Sequence, residues 1–180
     1  MFRIIAAALT LPYLVLTAAN AQPESFGPGP LIPEFGVIAD VEGREALPDN
    51  AAFKVAYDVT AGAEPGEVSR SLTTGARFLN MHAAAGVKPE NMQLAFVLHG
   101  SSVFDVVRDA RYQAQHGEDN ATAALVEELL KHNVQIFVCG QSAAYQDVAT
   151  DDLLPGVKMS LSAMTAHALL QQEGYTLNPF

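Results

Sequence analysis

Residues 134–142 read Val-Gln-Ile-Phe-Val-Cys-Gly-Gln-Ser and contain the only cysteine of the chain, Cys139. The apolar run has the length of a buried strand and ends at that cysteine. Gly140 allows a sharp turn, and Ser142 can cap a helix that follows it. The pattern therefore predicts a thiol at the carboxyl end of a central strand, immediately before a helix.

This position favours reactivity of the Cys139 thiol. In open α/β sheets the ligand crevice lies at the carboxyl ends of the strands, and a following helix directs its N–H groups there. Such surroundings lower the pKa of a thiol, and the thiolate is the form that attacks sulfur. Free cysteine also occurs as a small inert core residue, so a reactive and a buried Cys139 both stay open.

Strands and helices alternate along the rest of the chain. Strands are predicted at residues 53–58, 94–98, 134–139, 157–160 and within 175–180. Helices are predicted at residues 67–85, 103–115, 121–131, 142–148 and 162–173. This alternation predicts an α/β fold in which a mostly parallel sheet of about five strands carries helices on both faces.

Polar residues follow several of the predicted strands. Asp58, His99, Cys139 and Ser160 fall at carboxyl ends and so share one edge of a parallel sheet. His99 could pair with a thiolate or carry its proton, or it could be a loop histidine bonded to backbone. Asp58 could bind a ligand or simply cap a loop. The sequence does not reveal the strand order, so it does not show which of these residues touch.

The N-terminal region has the pattern of a secretory signal peptide. Arg3 precedes an apolar run over residues 4–16, and Ala-Asn-Ala at 19–21 matches a cleavage site, with an uncleaved anchor as the alternative. We therefore expect a signal peptide at residues 1–21 and a soluble protein that is periplasmic or secreted. Residues 22–50 are rich in Pro and Gly and predict an arm, either disordered or draped over a neighbouring subunit. Residues 51–180 form the predicted α/β domain.

Charge and composition exclude several classes of function. The formal net charge is −10, which argues against nucleic acid and anionic membranes as partners. One cysteine excludes an internal disulfide, and the five histidines lack the spacing of a dedicated metal site. A phosphate-binding glycine loop is also absent. No metal or other cofactor is therefore expected.

A serine hydrolase is a weaker alternative. Ser142, Asp151 or Asp152, and His167 follow the chain order of an α/β-hydrolase triad. Two features disfavour it, because Ala144 replaces the last glycine of the nucleophile motif and His167 lies inside a predicted helix.

Seven short motifs follow one another along the chain. They are Tyr57-Asp58-Val59-Thr60, Arg77-Phe78-Leu79-Asn80-Met81, Val97-Leu98-His99-Gly100, Val138-Cys139-Gly140-Gln141-Ser142, Leu154-Pro155-Gly156-Val157, Leu161-Ser162-Ala163-Met164 and Gly174-Tyr175. From about residue 35 to the C-terminus, their order resembles exported members of the DsrE/DsrF-like family. The Val-Cys-Gly-Gln-Ser and Leu-Ser-Ala-Met stretches are the most specific of them.

The resemblance implies a three-layer α/β/α sandwich, flavodoxin-like in general architecture, that assembles as a homo-oligomer, commonly a trimer or hexamer. It also implies a sulfur-relay role, in which a cysteine after a central strand accepts sulfur as a persulfide and passes it on. Cys139 matches that position. The expected partners are sulfur donor and acceptor proteins or small thiols.

We therefore expect a periplasmic sulfur-handling protein. It could turn over as a sulfurtransferase or act only as a sulfur carrier, and the sequence leaves both open. Cys139 is the expected catalytic residue, and the expected binding residues are His99, Gly140, Gln141, Ser142 and Asp58. Two alternatives remain. One is a non-catalytic oligomeric binding module with a structural cysteine, and the other is a redox sensor in which Cys139 crosslinks two subunits.

Overall fold

The computed structural model describes residues 24–179. The predicted signal peptide at residues 1–21 lies outside this range. Within the described range, no helix has both the length and the apolar character needed to cross a membrane.

A parallel five-stranded sheet forms the centre of the molecule. Its strands are β3 (Phe53–Val59), β4 (Met92–Leu98), β5 (Gln135–Cys139), β6 (Lys158–Ser160) and β7 (Thr176–Asn178). They are arranged in the order β6-β5-β4-β3-β7. The predicted α/β class with a parallel sheet of about five strands is confirmed. The last predicted strand is present as β7, which pairs with β3.

Five α-helices and three 3₁₀ segments connect the strands. The α-helices are α1 (Arg70–Ala84), α2 (Asp109–His116), α3 (Ala123–Lys131), α4 (Gly140–Tyr145) and α5 (Ala163–Gln172). The 3₁₀ segments are Pro89–Asn91, Gly100–Val106 and Thr150–Asp152.

The two faces of the sheet are covered by different helices. Apolar residues of α1 and α3, including Leu72 and Leu129, belong to the large core on one face. Ala166 and Leu170 of α5 pack in a smaller core on the other face. The chain steps one way from β3 to β6 and then returns across the sheet to β7. Because such crossovers are right-handed, the returning helix α5 lies on the opposite face.

The N-terminal arm packs against α1 of its own chain. Short strands β1 (Phe26–Gly27) and β2 (Ile38–Ala39) pair antiparallel. The buried Asn80 side chain accepts hydrogen bonds from the backbone N–H groups of Leu31 and Ile32 and donates to three carbonyl groups of the arm. From Leu31 to Gly36, the arm is therefore docked on its own chain through Asn80.

The predicted helix over residues 103–115 was wrong in its first half. A 3₁₀ segment ends at Val106, and Val107 is extended and bridges Leu153 in antiparallel fashion. Asn120 donates its side-chain amide to the carbonyl groups of Asp105 and Val107. Since long-range partners take these backbone groups, a continuous helix cannot form here, and α2 begins only at Asp109.

Candidate functional site

Three of the predicted site residues occupy one face of the sheet at its carboxyl edge. Asp58 is opposite Val97 in the register, and Val97 is opposite Phe137. Val97 belongs to the core beneath α5. Side chains alternate along a strand, so His99 and Cys139, each two residues further on, lie on this same face. Asp58, His99 and Cys139 therefore share the face that α5 covers.

Cys139 ends β5 and is the residue before the first turn of α4. It is 6 % exposed, so little of it meets solvent in the single chain. Burial alone would raise the pKa of its thiol. Hydrogen bonds from the Ser142 hydroxyl and from the N–H groups of Ser142, Ala163 and Gln141 outweigh burial and lower that pKa below its usual value. The sulfur is thus surrounded by donors that favour the thiolate.

The donors come from two helices that begin at the same place. Gln141 and Ser142 lie in the first turn of α4, and Ala163 is the first residue of α5. The Ser162 hydroxyl caps α5 by accepting from the Thr165 N–H at 3.0 Å. The amino end of α5 is therefore held at the sheet edge, where the Ala163 N–H interacts with the thiol.

Gly140 and Gln141 join α4 to the segment that links β6 with α5. A Cβ atom on Gly140 would lie 2.6 Å from the Ser160 carbonyl oxygen, a distance that no side chain tolerates. The Gln141 side-chain amide donates to the Leu161 carbonyl oxygen at 3.3 Å. Gly140 thus permits a close approach between two backbones, rather than a turn of unusual conformation.

Ser142 has a different role from the predicted helix cap. The helix α4 begins at Gly140, and Ser142 is its third residue. Its hydroxyl oxygen accepts from the Gly100 N–H at 3.1 Å. Ser142 therefore connects the Cys139 helix to the loop after His99, in addition to interacting with the thiol.

Asp58 binds two histidines. Its carboxylate Oδ1 lies 3.1 Å from Nε2 of His99 and 2.8 Å from Nε2 of His167. Partial burial raises the pKa of Asp58, but the hydrogen bonds and charges of the two histidines lower it by more, so the net pKa lies below the usual value. We name this group, Asp58, His99 and His167, the histidine–aspartate cluster.

His167 is the functional candidate that sequence reasoning missed. It was considered only as a hydrolase histidine, and that triad does not form, because His167 binds Asp58 and Ser142 binds the Gly100 N–H. No local sequence signal marks this role, because the contact between His167 and Asp58 joins residues 109 positions apart. Ser160 plays no part in the cluster and donates to the Ser162 carbonyl.

The histidine–aspartate cluster and Cys139 lie side by side without a hydrogen bond between them. Across residues 24–179, no group of three His, Cys, Asp or Glu side chains has an arrangement suited to a metal ion. The arrangement offers a thiol biased toward its anion. Nearby, two partly exposed imidazoles, one after β4 and one in α5, share the carboxylate of Asp58 on β3.

The fold is similar to two solved structures. One is the protein of unknown function MTH1491 from Methanobacterium thermoautotrophicum, with a TM-score of 0.52 and 20 % identity over 71 % of this chain and 99 % of that one. The other is the ychN protein from E. coli, with a TM-score of 0.51, 20 % identity and the same coverage. At this level of identity the likeness concerns the fold alone.

No protein with a curated description matches the chain. A family model does match, described as the DsrE/DsrF-like family, over residues 59–179. That match covers the strands β4 to β7, the five α-helices and the Cys139 motif, whereas β1, β2 and all of β3 except Val59 precede it. The chain therefore belongs to the DsrE/DsrF-like family.

Proposed function

We propose that this protein handles sulfane sulfur outside the cytoplasm, with Cys139 as the residue that carries the sulfur as a persulfide. The observation that supports the proposal most is the position of Cys139, at the end of β5 and directly before the first turn of α4. Burial raises the pKa of its thiol, and donors from Ser142, Ala163 and Gln141 lower that pKa by more. Membership of the DsrE/DsrF-like family agrees with a sulfur-relay role.

Sulfur uptake requires attack by a thiolate. The Cys139 thiolate attacks the outer sulfur of a persulfide R–S–SH, a new S–S bond forms, and the thiolate R–S⁻ leaves. An acceptor thiolate then attacks the outer sulfur of the Cys139 persulfide and restores the Cys139 thiolate. No net oxidation occurs, and the chain itself needs no cofactor.

The burial of Cys139 restricts which donors reach it. At 6 % exposure, the thiol is accessible to slender molecules such as inorganic polysulfide or the persulfide of a small thiol. A protein donor would need to insert an extended segment. The exposed apolar side chains of Leu161 and Met164 flank the start of α5 and offer a contact surface for such a partner or for other subunits of a trimer or hexamer.

Mass spectrometry after incubation with inorganic polysulfide tests the proposal. After alkylation, the wild-type protein should carry an alkylated persulfide on Cys139, which is heavier than the alkylated thiol by one sulfur atom. Cys139→Ser should gain no sulfur. Equal gain by both proteins, or none by the wild type, would reject it. Fractionation of cells that express the full chain tests export, which should yield a shortened protein outside the cytoplasm.

The burial of Cys139 also favours a second candidate, a non-catalytic oligomeric module that binds a ligand or partner and uses the cysteine for packing. That candidate predicts slow labelling of the native protein by thiol reagents and an unchanged phenotype for Cys139→Ala. A redox sensor predicts instead a disulfide-linked dimer on non-reducing electrophoresis. The lowered pKa of the thiol favours the persulfide carrier over the packing role.

A further inference from the structure

The histidine–aspartate cluster joins three elements at the carboxyl edge of the sheet. Asp58 comes from β3, His99 follows β4, and His167 lies in α5. Side-chain exposure ranges from 17 % for His167 through 28 % for His99 to 41 % for Asp58. The cluster is therefore held by the fold and is still open to a ligand.

Asp58 determines which nitrogen of His99 is available for chemistry. The carboxylate oxygens both lie 3.1 Å from Nε2 of His99, so this nitrogen carries a proton and donates it. Across residues 24–179, Nδ1 of His99 has no hydrogen-bond partner. A carboxylate on one nitrogen fixes the orientation of the imidazole ring and leaves the other nitrogen to give and take protons.

The position of His99 relative to Cys139 suits one proton transfer in particular. Their strands are neighbours, spaced by about 4.8 Å, and both side chains lie on the α5 face. The His99 imidazole is turned toward Asp58, away from the thiol. In sulfur transfer the attacking thiolate and the leaving thiolate lie on opposite sides of the outer sulfur. A residue that gives a proton to the leaving thiolate must therefore lie near Cys139 without contacting the Cys139 sulfur.

We propose that His99 is the general acid for the thiol that leaves when Cys139 is loaded, and that Asp58 and His167 are the residues that position it. The inference rests on the proposed sulfur-transfer function. In the step, the Cys139 thiolate attacks the outer sulfur of R–S–SH, a new S–S bond to Cys139 forms, the original S–S bond breaks, and R–S⁻ takes the Nδ1 proton of protonated His99. The products are the Cys139 persulfide, R–SH and neutral His99.

Helix α5 couples the two halves of this arrangement. Ala163 directs its N–H at the Cys139 sulfur, and His167, one turn later on the same helix face, donates to Asp58. His167 therefore keeps the Asp58 carboxylate in place for His99. It contacts neither the thiol nor the leaving group in this scheme.

Two neutral disulfides distinguish acid assistance from a structural effect. Attack by Cys139 on 4,4′-dithiodipyridine releases a delocalised pyridinethiolate, which departs without a proton on sulfur and takes one on its ring nitrogen from water. Attack on bis(2-hydroxyethyl) disulfide releases a basic alkyl thiolate, whose departure a proton on sulfur assists. With the alkyl disulfide, His99→Gln and Asp58→Asn should react roughly 10²-fold more slowly than the wild type, and His167→Gln about tenfold. With the pyridyl disulfide, all three should stay within about twofold of the wild type.

The matched control is His132→Gln, because His132 follows α3 at the opposite edge of the sheet. It should leave both rates unchanged. An equal loss with both disulfides would mean that the cluster only supports the structure, and no loss with either would mean that it does not act; each result overturns the proposal. In a third outcome, the variants lose rate only with the alkyl disulfide while polysulfide fails to add sulfur to Cys139. That result would support His99 as a general acid in thiol–disulfide exchange and would reject the sulfur-carrier function.

Discussion

Nε2 of His167 lies 2.8 Å from Oδ1 of Asp58, although 109 positions separate the two residues in the sequence. The contact exists because the chain crosses the whole sheet between β6 and β7 and lays α5 over the carboxyl edge of β3 and β4. The same crossover brings the Ala163 N–H to Cys139. A single topological feature thus builds both the thiol site and the cluster beside it.

The first prediction concerns Ser142. Ser142→Ala removes the hydroxyl that favours the thiolate, so the pKa of Cys139 should rise and its alkylation at neutral pH should slow. The measurement is the rate of reaction with iodoacetamide as a function of pH. Ser71→Ala in α1 is the control and should leave the profile in place. An unchanged pH profile for Ser142→Ala would show that the Ser142 hydroxyl does not lower the pKa of Cys139.

A second prediction concerns Gly140. Gly140→Ala places a Cβ against the Ser160 carbonyl oxygen, so α4 must move away from the start of α5. We expect a loss of about 1–3 kcal/mol in the free energy of unfolding, together with altered Cys139 reactivity. Urea denaturation measures the first effect. Gly27→Ala is the control, since a Cβ there meets no atom. Equal stability of the two variants would show that the close approach is unimportant.

Asp58 should make stability depend on acid pH. The pKa of Asp58 in the folded protein is lowered, because the His99 and His167 interactions exceed the opposing effect of burial. Its contribution is therefore present above the unfolded pKa and is lost as pH falls through the folded pKa. Solvent screens the interactions of Asp58 with the two histidines, so we expect them to contribute less than about 1 kcal/mol to the free energy of unfolding. Urea midpoints from neutral to acid pH should fall less for Asp58→Asn than for the wild type; parallel curves would contradict the assignment.

Asn80 should control the N-terminal arm. Asn80→Ala leaves several buried backbone groups of the arm without partners, which should cost about 3 kcal/mol or more in unfolding free energy. Hydrogen exchange over residues 26–39 should accelerate more than exchange in β4. Asn91→Ala, which removes one hydrogen bond to the Ala51 carbonyl, is the milder control. Unchanged exchange in the arm would show that other contacts hold it.

The sheet could be predicted from the sequence because its signals are local. Apolar runs such as residues 94–98 and the break at Cys139-Gly140 mark buried parallel strands without any knowledge of their neighbours. The position of Cys139 between a strand and a helix was predictable for the same reason, since the strand end and the helix start are adjacent in the chain. The helix start was placed two residues late, because Cys139 itself occupies the position before the first turn.

The histidine–aspartate cluster could not be predicted in full because it depends on strand order. Asp58 and His99 were expected at one edge, but their contact requires β3 and β4 to be neighbours. His167 requires α5 to cross back over that edge, which no local pattern encodes. The docking of the arm on Asn80 is non-local for a related reason, since Pro and Gly disfavour regular structure but do not indicate which side chain the arm contacts.

The most direct measurement follows one sulfur atom through a complete cycle at Cys139. The wild-type protein is incubated with polysulfide, and the excess reagent is removed. A small acceptor thiol is then added. The mass of the Cys139 peptide is measured by mass spectrometry before and after this addition. The account predicts one additional sulfur on that peptide, its loss on addition of the thiol, and its appearance on the acceptor. A Cys139 peptide that never gains the sulfur, or that retains it in the presence of the acceptor, would contradict the account.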